Sequence, residues 1–234
     1  YAQARELITP VQPDAASLVL HYEFEGNAND STGANNGTAL GSPTYGAGKI
    51  GQALNLDGID DHVAIENFNY ASGGHAEVSV CAWIRTSSEG DQIIASFDRN
   101  EYWRLEINGD GGGPGQIGWG VTTDTGVVGH GSNARVDDGQ WHHVAGTFDN
   151  GTLTIYIDGN GEESISGGPT FGSGNTRFGY IGVGSESTAF NTDPKTPVYL
   201  ITGSVDDVRI YDRALTNEEI AGLAGRINPF DKPF

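Results

Sequence analysis

The sequence predicts an all-β protein: two antiparallel sheets packed face to face, with one short helix near the C-terminus. Three observations carry this. Apolar runs are short and recur along the whole chain, shorter than core helices require. The stretches between them are dense in turn formers, and 36 of the 234 residues are glycine. Finally, one hairpin can be read residue by residue. Trp141–Phe148 and Leu153–Ile157 are separated by Asp149-Asn150-Gly151-Thr152, and Asn-Gly suits a type I′ turn because both central residues need positive φ. Leu153, Ile155 and Ile157 alternate with Thr154 and Tyr156, the period of a strand with one buried face.

The remaining elements follow in order. Residues 1–17 contain Pro10 and Pro13 without periodicity and read as an arm or linker. Leu18–Phe24 is the first strand, and the turn-rich loop after it holds Asp30. Gly51–Ile65 reads as strand, tight turn and strand, with Asp57-Gly58 at the corner and Asp60-Asp61 behind it. Val78–Thr86 is a central strand, apolar until Arg85; it contains Cys81, the single cysteine, so no internal disulfide forms. Gln92–Asp98, Tyr102–Asn108 and Gln116–Thr122 form a meander. Gly113–Gly118 formally spells GxGxxG, but no helix follows it, which rejects a dinucleotide site. Residues 161–176 read as a Ser/Gly loop, Tyr180–Val183 as a strand, 186–197 as a polar insertion expected to be mobile, and Val198–Tyr211 as the closing strand. Thr216-Asn217-Glu218-Glu219 is a capping box for a helix over Leu215–Leu223, stopped by Gly225. Residues 226–234, with two prolines, read as a second linker. The chain thus divides into an arm (1–17), one domain (18–225) and a linker (226–234).

Charge and motifs narrow the function. Thirty-one acidic residues stand against 12 basic ones, a net charge of −19. Nucleic acids and anionic membranes bind through Lys and Arg, so this balance argues against both. No apolar run is long enough to insert in a membrane. The motifs HExxH and GxSxG are absent, as is the ExDxxE strand that would carry a glycosidase carboxylate pair, so no catalytic residues are assigned. Six histidines leave a lyase open. His142 and His143 are adjacent on a strand and face opposite sides, which suits packing groups.

Three stretches carry a family resemblance. DGQWHHVAGTFDNGTLTIYIDG at 138–159, GQALNLDGIDDHVAI at 51–65 and GSVDDVRIY at 203–211 resemble the signature blocks of laminin-G-like, concanavalin A-like lectin/glucanase domains. The likeness spans about residues 18–224. It implies a concanavalin A-like jelly-roll sandwich in which the first and last strands neighbour each other. It also implies a non-catalytic carbohydrate-binding or adhesion module, calcium-stabilised, monomeric, and part of a larger secreted or cell-surface protein. Protein–protein adhesion and a polysaccharide lyase or glycosidase on the same fold are the alternatives.

Calcium takes six to eight oxygen ligands. Carried onto matching positions, the resemblance places it at Asp57, Gly58 and Asp206, with Glu25 and Asp30 supplied by the first strand and its loop. The competing role for Asp206 is a hydrogen bond to a loop amide. A glycan partner needs an aromatic platform flanked by planar polar groups. Tyr102, Trp103 and Trp119, beside Arg99, Asn100 and Arg104, are the candidates, with core packing as the competing role of each ring.

Overall fold

A computed structural model describes residues 7–184 and 198–231. The insertion expected at 186–197 lies outside the described residues. In chain order the strands are β1 (Leu7–Ile8), β2 (Leu18–Tyr22), β3 (Gly37–Leu40), β4 (Thr44–Ala47), β5 (Gln52–Asp57), β6 (His62–Tyr70), β7 (Glu77–Arg85), β8 (Gln92–Phe97), β9 (Trp103–Ile107), β10 (Gln116–Thr123), β11 (Gly126–Arg135), β12 (His142–Asp149), β13 (Thr152–Ile157), β14 (Asn160–Ser166), β15 (Arg177–Ile181), β16 (Thr202–Tyr211) and β17 (Phe230–Asp231). The helix α1 (Asn217–Leu223) lies between β16 and β17.

Two large antiparallel sheets result. One runs β11-β10-β9-β8-β15-β6-β3; the other runs β14-β13-β12-β7-β16-β5-β4, with β2 also paired to β16. One edge of β16 in the second sheet is shared: β5 pairs with its residues 202–205 and β2 with its residues 208–211. First and last strands therefore meet, as the jelly-roll reading expects.

Alternation assigns the faces. Along β9, Trp103, Leu105 and Ile107 enter the core between the sheets, while Arg104 and Glu106 take the outer face. The hairpin of β12 and β13 closes through a two-residue loop with Asn150 at φ 45° and Gly151 at φ 96°, the positive pair that Asn-Gly favours. Thr216 and Glu219 form the capping box in both directions, and Gly225 ends the segment at φ 76°.

Three sequence readings need correction. The flanks are not free linkers: β1 pairs with β17, Val11 N–H donates to Glu218 O at 2.9 Å, and Ile8 is buried. The supposed loop at 161–176 begins as the edge strand β14. The strand β11, GVVGHGSNAR, was missed because four of its features (glycine, glycine, glycine and Asn) are poor strand formers; its neighbour β10 supplies the pairing.

Packing between the sheets is tight at Gly146, where an added Cβ would lie 2.4 Å from Trp119 Cδ2. The indole cannot retreat, because it is fully buried and its Nε1–H donates to Thr147 O at 3.1 Å. Gly146→Ala is therefore expected to lower unfolding free energy by about 1–3 kcal/mol, the range for overpacking a filled core. Urea denaturation measures it, and an unchanged midpoint would refute this packing account.

Candidate functional site

The aromatic platform expected from the sequence is not on the surface. Tyr102, Trp103 and Trp119 are all 0% exposed. Tyr102 Oη donates to Asn175 O at 2.6 Å and Trp103 Nε1–H to Tyr70 Oη at 3.2 Å, so even their polar atoms are spent internally. The period-two rule gives the reason: Arg104 and Trp103 are chain neighbours and so face opposite ways.

The outer face that Arg104 occupies is a different kind of place. Arg104 Nε lies 2.8 Å from Glu106 Oε2, and its Nη2 lies 3.6 Å from Asp110 Oδ2. Arg99 Nε reaches Asp110 Oδ1 at 3.2 Å. The loop between β9 and β10 lies flat over this part of the sheet. It can do so because Gly120 beneath it has no side chain: a Cβ there would sit 1.9 Å from Asp110 Oδ2. Under that cover the Glu106 carboxyl is raised by burial, and the nearby Asp110 adds to the effect.

Beside this network stands a ring that the sequence reading overlooked. Tyr199 is 43% exposed, and the Arg104 guanidinium lies 5.6 Å from its ring centroid. Its φ of 56° is an uncommon conformation for a bulky residue. The backbone is pinned there, since Ile93 N–H donates to Tyr199 O at 2.8 Å. In sequence Tyr199 sits in the apolar run VYLI and reads as the inside of a strand. Only the left-handed turn exposes it.

The expected metal ligands divide into three groups. Asp206 is 0% exposed; its Oδ2 accepts from Ile50 N–H at 2.9 Å, the loop-amide bond foreseen as its competing role. Its Oδ1 has no hydrogen-bond partner among the described residues. Burial pushes the carboxyl up to about 6. Glu25, exposed, grips the same turn: its Oε1 accepts from Gln52 N–H at 3.0 Å. Two acids from opposite ends of the chain thus hold the 48–52 turn. Asp206 also faces Trp83 across the ladder, and Trp83 faces His143. Trp83 Nε1 and His143 Nδ1 are likewise buried without a hydrogen bond among the described residues.

Asp30 and the corner acids lie elsewhere. Asp30 is buried and accepts from His21 N–H at 2.9 Å, Thr32 N–H at 3.0 Å and Asn35 N–H at 3.0 Å. Burial raises its pKa, but these bonds and one from the Thr32 hydroxyl bring it below the usual carboxylate value. Its oxygens organise their own loop and are not turned towards Asp206. Asp57 pairs with Thr202 at the start of β16, the far end of β5 from the Glu25–Asp206 turn. Gly58 follows it at φ 77°. Carboxylate oxygens of Asp57, Asp60 and Asp61 lie within 4.8 Å of one another. Asp57 Oδ1 already accepts from Ile59 N–H at 2.8 Å, and Asp61 Oδ2 from Asp57 N–H at 3.1 Å. A single site joining Asp30, Asp57, Gly58 and Asp206 is not what this fold builds.

The family model described as concanavalin A-like lectin/glucanases superfamily matches residues 57–221. This chain belongs to that superfamily. Among solved structures it is similar to domain 4 of AbnA, a GH43 extracellular arabinanase from Geobacillus stearothermophilus, in complex with arabinotriose: 24% identity, TM-score 0.67, 89% of this chain and 98% of that one. It is also similar to the binding domain of Paraclostridial Mosquitocidal Protein 1 (14% identity, TM-score 0.67, 89% of this chain and 52% of that one). The binding domain of botulinum neurotoxin DC in complex with rat synaptotagmin II gives 15% identity and TM-score 0.65, over 91% of this chain and 52% of that one. The chain thus spans about half the length of the toxin domains. A search of curated proteins found no match. Its structural neighbours include carbohydrate-binding and receptor-binding domains.

The superfamily's WHH signature has a local role here. His143 is fully enclosed, and burial lowers it to about 4, so it stays neutral. His142 instead bridges two acids, Nδ1 to Asp158 Oδ2 at 2.9 Å and Nε2 to Asp138 Oδ1 at 3.1 Å. The Asp158 hydrogen bond, with help from Asp138, raises His142 above the ordinary histidine value. A folded pKa above the unfolded one stabilises fully below about 6.5, and that contribution is lost as pH rises through the folded pKa. The stability difference between wild type and His142→Gln is therefore expected to be largest in mild acid and to shrink in alkali. Urea midpoints across that range measure it; a difference that does not change with pH would contradict the bridge.

Proposed function

We propose that this domain is a non-catalytic glycan-binding module, stabilised by calcium, that works as part of a larger secreted or cell-surface protein. The observation that carries the glycan reading is Tyr199, a half-exposed ring backed by the Arg104 guanidinium. Apolar sugar faces stack on such rings, while charged and amide groups beside them take the hydroxyls. The arabinotriose named with the AbnA domain makes arabino-oligosaccharides the first ligands to try. The non-catalytic reading is supported by Glu106, whose raised carboxyl is 1% exposed and bonded to Arg104 rather than open to a substrate.

The calcium reading is supported by Asp206. A buried carboxylate oxygen with no donor suits a hard cation, and Glu25 at the same turn offers a second carboxylate. Bound there, calcium would neutralise the buried charge and tie the first strand region to the last. Secretion is supported by the extracellular character of the AbnA relative; no helix among the described residues is long and apolar enough to cross a membrane.

Isothermal titration of arabino-oligosaccharides tests the glycan reading. Tyr199→Ala is expected to weaken binding roughly tenfold or more, since truncating a central aromatic anchor costs about 2 kcal/mol. The exposed ring can be removed without opening the core. Equal affinity in the variant, or no binding across a glycan panel, would overturn the assignment; capture of a protein partner alone would favour adhesion.

A further inference from the structure

At the end of β16 opposite to Tyr199, the two sheets part around a cavity of about 270 Å³. It lies where β6 ends, β7 begins and β16 runs out, with Phe68, Tyr70, His75, Glu77 and Asp212 in its lining. Three of these are rings, and Tyr70 stands almost perpendicular to each of the other two. Phe68 and Tyr70 meet at 78° with centroids 5.5 Å apart, and Tyr70 and His75 meet at 75° with centroids 5.0 Å apart. One face of Tyr70 is stacked on Tyr102 at 4.8 Å, and all three rings contribute to the cavity lining. The negative face of an aromatic ring attracts cations.

Two carboxylates, Glu77 and Asp212, stand at the rim. Asp212 has no hydrogen bond or ion pair to its carboxylate among the described residues, and Glu77 has only one, from Ala214 N–H to Oε2 at 3.0 Å. His75 Nε2 lies 2.7 Å from Ser72 O. A carbonyl only accepts, so Nε2 carries a proton. No Lys or Arg lines the cavity. This contrasts with acids beside rings and core elsewhere, where Asp98 is paired with Arg177, Asp110 with Arg99 and Glu219 with Arg213. Among the described residues no Lys or Arg pairs with these two carboxylates, in a chain whose charge of −19 already concentrates cations around it.

We propose that this cavity is a second binding site, for an organic ammonium ion. The alkyl part would contact Phe68 and Tyr70, and the charge would sit between Asp212 and Glu77. The cavity volume equals roughly nine waters of liquid, room for a cation of choline size. This site does not depend on the glycan assignment, since it shares no residue with the Tyr199 face.

The test compares choline and n-butylammonium with 3,3-dimethylbutan-1-ol, which has the shape of choline without its charge. Binding is followed by NMR through the His75 ring signals. At least one ammonium is expected to saturate these signals, with the alcohol roughly tenfold weaker, as loss of about 1.4 kcal/mol of cation attraction implies. Preference for choline would identify the natural ligand as a methylated ammonium, and preference for butylammonium as a primary amine. Asp212→Asn, a change at an exposed carboxylate, is expected to weaken binding by a similar factor and leave the melting temperature unchanged. The proposal falls if neither ammonium shows saturable binding, if the alcohol binds equally, or if Asp212→Asn has no effect.

Discussion

A buried carboxylate with half of its partners is the constraint around which the eight-stranded sheet is arranged. Asp206 lies on the strand that pairs with β7, β5 and β2, so whatever holds it also holds the start and end of the domain. A β-bulge follows it, with Asp207 at φ 49°, and re-aims the next acid towards His21 and Arg209 at 2.6 and 2.9 Å. Asp207 Oδ1 is thus paired with both a His and an Arg of its own sheet. Asp206 is left to the 48–52 turn, where Ile50 N–H donates to Oδ2. Against burial, which raises its pKa, the Lys49 and Asp207 amides also hold it down, and Oδ1 has no partner within hydrogen-bond geometry among the described residues. Leaving a buried polar atom without a partner costs about 1–3 kcal/mol, more when it is charged. Such a position persists where something outside the chain completes it, and this is the physical ground for the proposed calcium.

The two ends of β16 differ in chemistry because charge is distributed differently around them. Near its start, Arg104, Glu106, Asp110 and Arg99 neutralise one another under a loop, and Tyr199 projects from that balanced patch. A balanced patch beside an exposed ring suits an uncharged, hydroxyl-rich ligand. Near its end, Glu77 and Asp212 stand beside aromatic walls with no Lys or Arg among the described residues of the lining. An unbalanced patch of that kind selects a positive ligand. The same sandwich can therefore present two chemistries without either disturbing the core between the sheets.

Much of the fold was legible in the sequence because it rests on local rules. Asn150-Gly151 set the hairpin, Thr216 and Glu219 set the helix, and alternation in Leu153–Ile157 set the buried face. The functional surface was less legible. Trp103 and Trp119 were attractive as a platform because they are large and near arginines, yet period two turns both inward. Tyr199 was hidden by the opposite effect, an apolar setting that a left-handed backbone turns outward. The pairing of β1 with β17 joins residues more than two hundred positions apart, and no local pattern announces it. The acids behaved similarly: Asp30, Asp57 and Asp206 look alike in sequence, and only the strand register shows that one organises a loop, one a corner and one is buried half-partnered.

The most direct test of this account is the melting temperature of chelated protein before and after calcium is added, measured for wild type, Asp206→Asn and Asp57→Asn. The account predicts a clear rise on calcium addition in wild type and in Asp57→Asn, and none in Asp206→Asn. An unshifted wild type, or a rise that survives in Asp206→Asn and disappears in Asp57→Asn, would contradict it.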